Sequence, residues 1–193
     1  MVQTKKKEVR DSILDCAYRL FRDKGYIQCS MSEIAKEVGI SASNIYIYFP
    51  SKIHLLYEIY TPLLTSRMMK LANDIHAIDD PEKRLRYIFK CIWQDIPNED
   101  NGFARNLIQA IVTAPADLEK PHDSLKWCED FLHKLILDCL PEERHFLMQD
   151  SMISFLTWMA FDGFTLNVGK NEERNIDALI DHFVEMLMGK SKI

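Results

Sequence analysis

Residues 39–52 read GISASNIYIYFPSK, a run with three aromatic rings, three serines, one amide and one lysine, and with no acid, histidine or cysteine. Its centre, Ile45-Tyr46-Ile47-Tyr48-Phe49, has the β-branched and aromatic composition of a strand. The flanks decide otherwise. Ser41 is placed to cap a new turn, Ile45 and Phe49 at i,i+4 give a short helix one buried face, and Pro50 stops its continuation. Upstream, Ser30-x-x-Glu33 has the form of a capping box and opens a short helix carrying Ile34, Ala35 and Val38, which Gly39 ends. Helix, Gly39-Ile40-Ser41 turn, helix makes a helix-turn-helix.

Outward from this unit, apolar residues recur at helical spacing almost throughout, and glycine and proline are sparse. Ile13, Ala17, Leu20 and Phe21 form one stripe on a first helix that ends at Lys24-Gly25. Ser51-Lys52 begin a fourth helix with Leu55, Leu56, Ile59, Leu63 and Leu64 on its inner side, where Pro62 is expected to cause a kink or break. Asp79-Asp80-Pro81 starts another, followed by Leu85, Ile88, Phe89 and Ile92. Further helices are expected near 102–113, 120–140, 143–167 and 173–188. In the last, Ile176, Leu179, Ile180, Phe183, Val184, Leu187 and Met188 form one stripe, whereas Phe146 to Phe164 is apolar around most of its circumference. A helix apolar on two faces needs partners on both, and a second copy of the chain is one candidate. The expected fold is therefore all-α, with a three-helix N-terminal domain over residues 1–52 and a larger helical domain over 53–193.

Composition narrows the function. With 193 residues, 47% hydrophobic and 27% charged, the chain is long and apolar enough to bury a core. The densest apolar region, Ile153 to Phe161, is too short to span a membrane, and the N-terminus lacks the apolar segment of a secretory signal, so a cytoplasmic location is expected. Five cysteines without a Cys-x-x-Cys pair read as free, mostly buried thiols. The net charge of -5 is unevenly spread: residues 1–54 hold nine Lys and Arg against six Asp and Glu, while the rest of the chain is strongly acidic. Lys5 to Lys7 form a basic arm, which suggests a polyanionic partner for the first quarter alone. The six histidines are scattered. Cys128 and His133, at i,i+5, do not share a helical face, and no nucleophile, base and orienting group can be assembled. No metal, cofactor or enzymatic activity is expected.

The helix-turn-helix supplies a role for the opening stretch, because base and phosphate contacts need hydrogen-bonding and packing groups rather than a nucleophile. With Ile45 and Phe49 inward, Ala42, Ser43, Asn44, Tyr46, Ile47 and Tyr48 are left for double-stranded DNA. Small groups at 42 and 43 permit close approach, Asn44 can pair with adenine through two hydrogen bonds, and Ile47 can touch a thymine methyl. The tyrosine hydroxyls suit phosphates, as does Lys52 in the first turn of the next helix. An isolated tyrosine pair would more often be half-buried core; the capped helix and turn beside it favour the DNA side. In the C-terminal domain, Leu64, Met68, Trp93, Gln109, Trp127, Phe131 and Trp158 are candidates for the lining of a pocket for a largely apolar small molecule, with plain core packing as the alternative. Gln109 stands out because it lies on the apolar run Leu107 to Val112, where a buried amide must find a partner.

The segment Ser32-Glu33-Ile34-Ala35-Lys36-Glu37-Val38-Gly39-Ile40-Ser41, followed by Ile45-Tyr46, Tyr48-Phe49 and Ser51-Lys52, closely resembles the DNA-binding signature of TetR-family transcriptional regulators. The resemblance covers about residues 8–56. It implies a helix-turn-helix domain followed by a larger helical domain that binds an effector and forms a homodimer through its last two helices. It adds Ser32 to the DNA contacts and implies a regulator, commonly a repressor, that leaves its pseudo-palindromic operator when an effector shifts the fourth helix. Met159-Ala160-Phe161-Asp162-Gly163-Phe164-Thr165-Leu166 resembles the small-residue segment that many members place in the dimerising helix. Two departures stand out: Ser43-Asn44 replaces the usual glycine or proline and threonine, and Ile53-His54 replaces the usual acids after Lys52. The competing reading is a helical small-molecule-binding or protein-interaction module whose helix-turn-helix is only structural.

Overall fold

The computed structural model describes residues 2–99, 102–114, 123–167 and 175–190. Among them every regular element is helical and none is a strand: α1 (Val2–Lys24), α2 (Met31–Val38), α3 (Ala42–Tyr48), α4 (Lys52–His76), α5 (Pro81–Lys90), a π-helical segment (Cys91–Asp95), α6 (Ile96–Glu99), α7 (Phe103–Thr113), α8 (Asp123–Leu137), a 3-10 segment (Glu142–Met148), α9 (Met152–Asn167) and α10 (Ile176–Leu187). The chain packs as two compact units. The first comprises the described parts of 1–63 and 101–122, and the second those of 64–100 and 123–193. The boundary expected after residue 52 thus falls inside the first unit, because the start of α4 packs there, and α7 belongs to the same unit.

In the first unit, α1 contributes Ile13, Ala17, Leu20 and Phe21 to a core completed by Ile34, Ala35, Ile45, Phe49, Leu55 and Leu56. The helix ends follow local chemistry. Gly25 ends α1 at φ 82° and Gly39 ends α2 at φ 80°, a conformation that a Cβ would strain. Ser30 Oγ accepts from Glu33 N at 3.1 Å, and Ser41 Oγ from Asn44 N at 3.2 Å. The Glu33 carboxylate also takes the Lys24 ammonium, which, with the Ser30 amide, holds its pKa below the ordinary value. Lys5 to Lys7 are exposed but already helical, so the basic arm is the opening of α1 rather than a tail.

Within the second unit, Phe89, Trp93, Phe164 and Phe183 form an aromatic cluster with ring centroids 4.9 to 5.7 Å apart. Asp80 caps α5 through bonds from the amides of Glu82 and Lys83. Arg144 donates to the carbonyls of Leu187 and Met186, placing a cation at the negative end of α10.

Three expectations change. Of the kink or break expected at Pro62, the break does not occur: α4 runs on through Pro62, where the chain passes from the first unit to the second. The single helix expected over 143–167 is two elements, parted by a turn in which Ser151 takes φ 52°. After α5 the helix widens into the π turn, where Ile96 N bonds Cys91 O, a change of pitch that apolar spacing does not reveal. Residues 120–122 and 173–174, expected at two helix starts, lie outside the described residues.

Candidate nucleic-acid interface

Helix α3 presents one face to the core and the rest to solvent. Ile45 is fully buried and Phe49, just past the helix, is 2% exposed, with the Arg10 guanidinium 5.2 Å above its ring. Arg10 also pairs with Glu58 at 2.6 Å, so one side chain of α1 braces both the end of α3 and the start of α4. Opposite, Ala42, Ser43 and Asn44 are exposed, Tyr46 is 52% and Ile47 67% exposed, and Tyr48 is half-buried. Ser32, on the outer side of α2, is exposed as well. The structure thereby groups seven of the expected contact residues on the outer side of the helix-turn-helix. Ser43 Oγ lies 3.0 Å from the Ser41 hydroxyl that caps the helix, so part of its hydrogen-bonding capacity is used locally.

Lys52 is the exception. Expected to reach a phosphate, its ammonium instead donates to the carbonyls of Tyr26 and Cys29, both at 2.7 Å, and lies 4.1 Å from the centre of the Tyr26 ring. Two of its three N–H bonds are thus directed into the protein, and burial lowers its pKa. The neighbouring substitution has a local consequence too: Ser51 Oγ lies 2.7 Å from His54 Nδ1 at the start of α4.

The buried amide expected at Gln109 is found one turn earlier. Asn106 is 6% exposed; its Oδ1 accepts from Tyr26 N at 3.0 Å and its Nδ2 donates to Phe21 O at 2.8 Å. Gln109 is only partly buried and lines a cleft of about 360 Å³ in the first unit, beside Arg105 and the end of α1. The physical reason is register: Ala104, Leu107 and Ala110 mark the buried stripe of α7, and Asn106 borders it where Gln109 turns out. An asparagine flanking that stripe was the available signal for it.

The other pocket candidates lie in the second unit. Leu64 and Met68 are buried on α4, and Trp93 belongs to the aromatic cluster, its indole N–H donating to Thr157 O at 3.0 Å. Both contacts are those of core packing. Trp127 stacks on Phe131 with centroids 5.0 Å apart. Trp158 meets Phe161 edge-on, and its buried Nε1, like Gln94 Oε1 and Thr165 Oγ1, has no hydrogen-bond partner among the described residues. Unpaired buried polar atoms of this kind are uncommon.

Comparison with known proteins agrees with this architecture. Residues 13–59 match the family described as "Bacterial regulatory proteins, tetR family". The chain is 34% identical over 114 residues to a helix-turn-helix transcriptional regulator, YuxN, of Bacillus subtilis, a match covering 59% of this chain and 39% of that one. The chain spans less than two thirds of the length of the curated relatives that it matches. Its fold is similar to that of the regulator FadR of Bacillus subtilis solved with stearoyl-CoA, with 18% identity, a TM-score of 0.61 and coverage of 94% and 98% of the two chains. It is equally similar to FadR of Thermus thermophilus, described as a repressor of the same family and solved with lauroyl-CoA, with 18% identity, a TM-score of 0.61 and coverage of 95% of each chain. The helix-turn-helix, with its outward polar and aromatic face, thus lies within the stretch that matches the tetR family of bacterial regulatory proteins, residues 13–59, and the fold of the chain is similar to that of regulators of that family.

Proposed function

We propose that the protein is a homodimeric, ligand-responsive repressor that reads a pseudo-palindromic duplex with two copies of α3, set in consecutive major grooves about 34–36 Å apart. The observation that carries this reading is the division of α3: Ile45 and Phe49 inside, with Tyr46 and Ile47 outside. A helix-turn-helix serving only as structure has no use for an isoleucine 67% exposed among hydroxyls and an amide. In this reading Asn44, Ser43, Ala42 and Ile47 meet base edges, and Tyr46, Tyr48 and Ser32 meet phosphates.

The effector in this proposal is a largely apolar molecule bound by the second unit, and long-chain acyl-CoA thioesters are the first class to test. Support comes from the two fold neighbours solved with stearoyl-CoA and lauroyl-CoA and from the unpaired Trp158 indole N–H, a donor available to a ligand. Tighter binding of the effector to the DNA-incompetent state releases the operator by population shift.

The test is selection of bound sequences from a random duplex library, followed by titration of the enriched duplex with and without stearoyl-CoA. An enriched palindrome released by the thioester is expected. Failure to enrich any sequence would overturn the DNA reading; an enriched palindrome that lauroyl-CoA and stearoyl-CoA both leave bound would overturn the effector class alone.

A further inference from the structure

The corner between α1 and α2 launches the helix-turn-helix, and two side chains far apart in sequence converge on it. Asn106, from α7, bonds the Tyr26 N–H and the Phe21 carbonyl. Only this orientation of the amide satisfies both backbone groups, since its oxygen must face the donor and its nitrogen the acceptor. Lys52, from the first turn of α4, bonds the Tyr26 and Cys29 carbonyls and covers the Tyr26 ring. Tyr26 is 7% and Cys29 1% exposed, and Ser30, the next residue, is the cap of α2. The N–H of Tyr26 is therefore held from one helix and its carbonyl from another, four residues before the cap that opens the DNA-reading unit.

We infer that Asn106 and Lys52 are positioning residues for DNA recognition: by gripping Tyr26 from α7 and α4 they set the entry of α2 and hence the attitude of α3, and Lys52 acts there rather than as a phosphate ligand. The inference rests on the DNA-reading role of the helix-turn-helix. Neither residue touches the outward face of α3, so both act through the backbone of residues 21–29. Their bonds also make α4 and α7 share one anchor, which means that loosening either grip frees the same segment.

The test uses the full chain and the duplex that the wild type selects. Asn106→Ala, Lys52→Met and the double variant are titrated at several salt concentrations, with the melting temperature of each measured beside the affinity. Methionine keeps the stem over Tyr26 and removes the donors. Each single variant is expected to bind the duplex about tenfold more weakly, as the loss of buried hydrogen bonds implies. The salt slope should equal that of the wild type, and the double variant should be no more than about twofold weaker than the weaker single, because both act on one segment. A slope lower by about one in Lys52→Met would make the lysine a phosphate ligand and overturn its assignment. Multiplying losses would overturn the shared anchor. Wild-type affinity with a lowered melting temperature would show a structural role only. If Asn106→Ala does not fold, Asn106→Ser, whose side chain is shorter and has one polar atom in place of the two that make these bonds, is read by the same criteria. Absence of duplex binding by the wild type itself would overturn the DNA reading and this inference together.

Discussion

Tyr46 stands 52% exposed on α3, so its hydroxyl can be removed without touching the core. Tyr46→Phe is expected to leave the melting temperature unchanged and to weaken the selected duplex by about 0.5–1.5 kcal/mol, the net worth of one hydrogen bond. Unchanged affinity would remove Tyr46 from the contact set. Buried thiols offer a second check at this scale. Burial raises the pKa of Cys29 and Cys139 to about 11 and of Cys128 to about 12. At pH 8 a thiol of pKa 11 is thiolate in roughly one molecule in a thousand, and the thiolate is the nucleophile. Iodoacetamide followed by mass spectrometry should therefore leave these three unmodified until the chain is unfolded; fast native labelling of Cys29 would mean that the Tyr26 corner opens. Single residues also mark how far the sequence could be read. The inward and outward division of α3 was legible because i,i+4 spacing and Pro50 allow one arrangement. The grips of Asn106 and Lys52 were not, because each bonds backbone groups at least 23 residues away, and no local pattern encodes such a partner.

Helix ends were the most legible elements, since caps use side chains within three residues of the groups they satisfy. Ser41 is the clearest case, and Ser41→Ala should cost about 1 kcal/mol of stability in chemical denaturation. Because the same hydroxyl orders the first turn of α3, duplex affinity should fall as well; a stability loss without an affinity loss would separate the cap from recognition. Asp80 does for α5 what Ser41 does for α3. The bond from the Lys83 amide, then that from Glu82, holds its pKa below the ordinary value. Its folded pKa is thus lower than its unfolded one, so its contribution is present above the unfolded pKa and disappears as pH falls through the folded one. The melting temperature of Asp80→Asn, which keeps the cap without the charge, should decline less than that of the wild type between about pH 5 and about pH 2. Parallel declines would assign the acid sensitivity elsewhere, with Asp74 and Glu82 the next groups to test, since their pKa values are also lowered. What local signals could not show was a change of pitch. The π turn at Cys91–Asp95 and the turn before α9 interrupt apolar stripes that read as continuous.

At the scale of the whole molecule, α9 differs from an ordinary surface helix in carrying large apolar residues on its exposed side as well as its buried one. It buries Ser154, Thr157 and Thr165 beside Ile153 and Phe161, yet leaves Met152, Phe155, Leu156, Met159 and Leu166 exposed at steps of three, four and seven. On α10, Leu179 and Met186 are likewise exposed, two turns apart. The sequence expectation that this helix needs partners on two sides thus meets a structure in which the second side is uncovered in the single chain. A contiguous apolar stripe of this kind marks an interaction surface, and a second copy of α9 and α10 covers it in our proposal. Met159 is central to the stripe and 54% exposed, so Met159→Glu should fold as a single chain while burying a charge wherever two copies meet. We expect sedimentation equilibrium to show a dimer for the wild type and a monomer for the variant. Two linked reading heads gain about 10²–10⁴ in affinity over one, so the variant should lose duplex binding by a factor in that range. A variant that remains dimeric would move the interface off α9. One that becomes monomeric yet binds the palindrome as tightly as the wild type would remove the need for two heads, and with it the reason for expecting a palindrome.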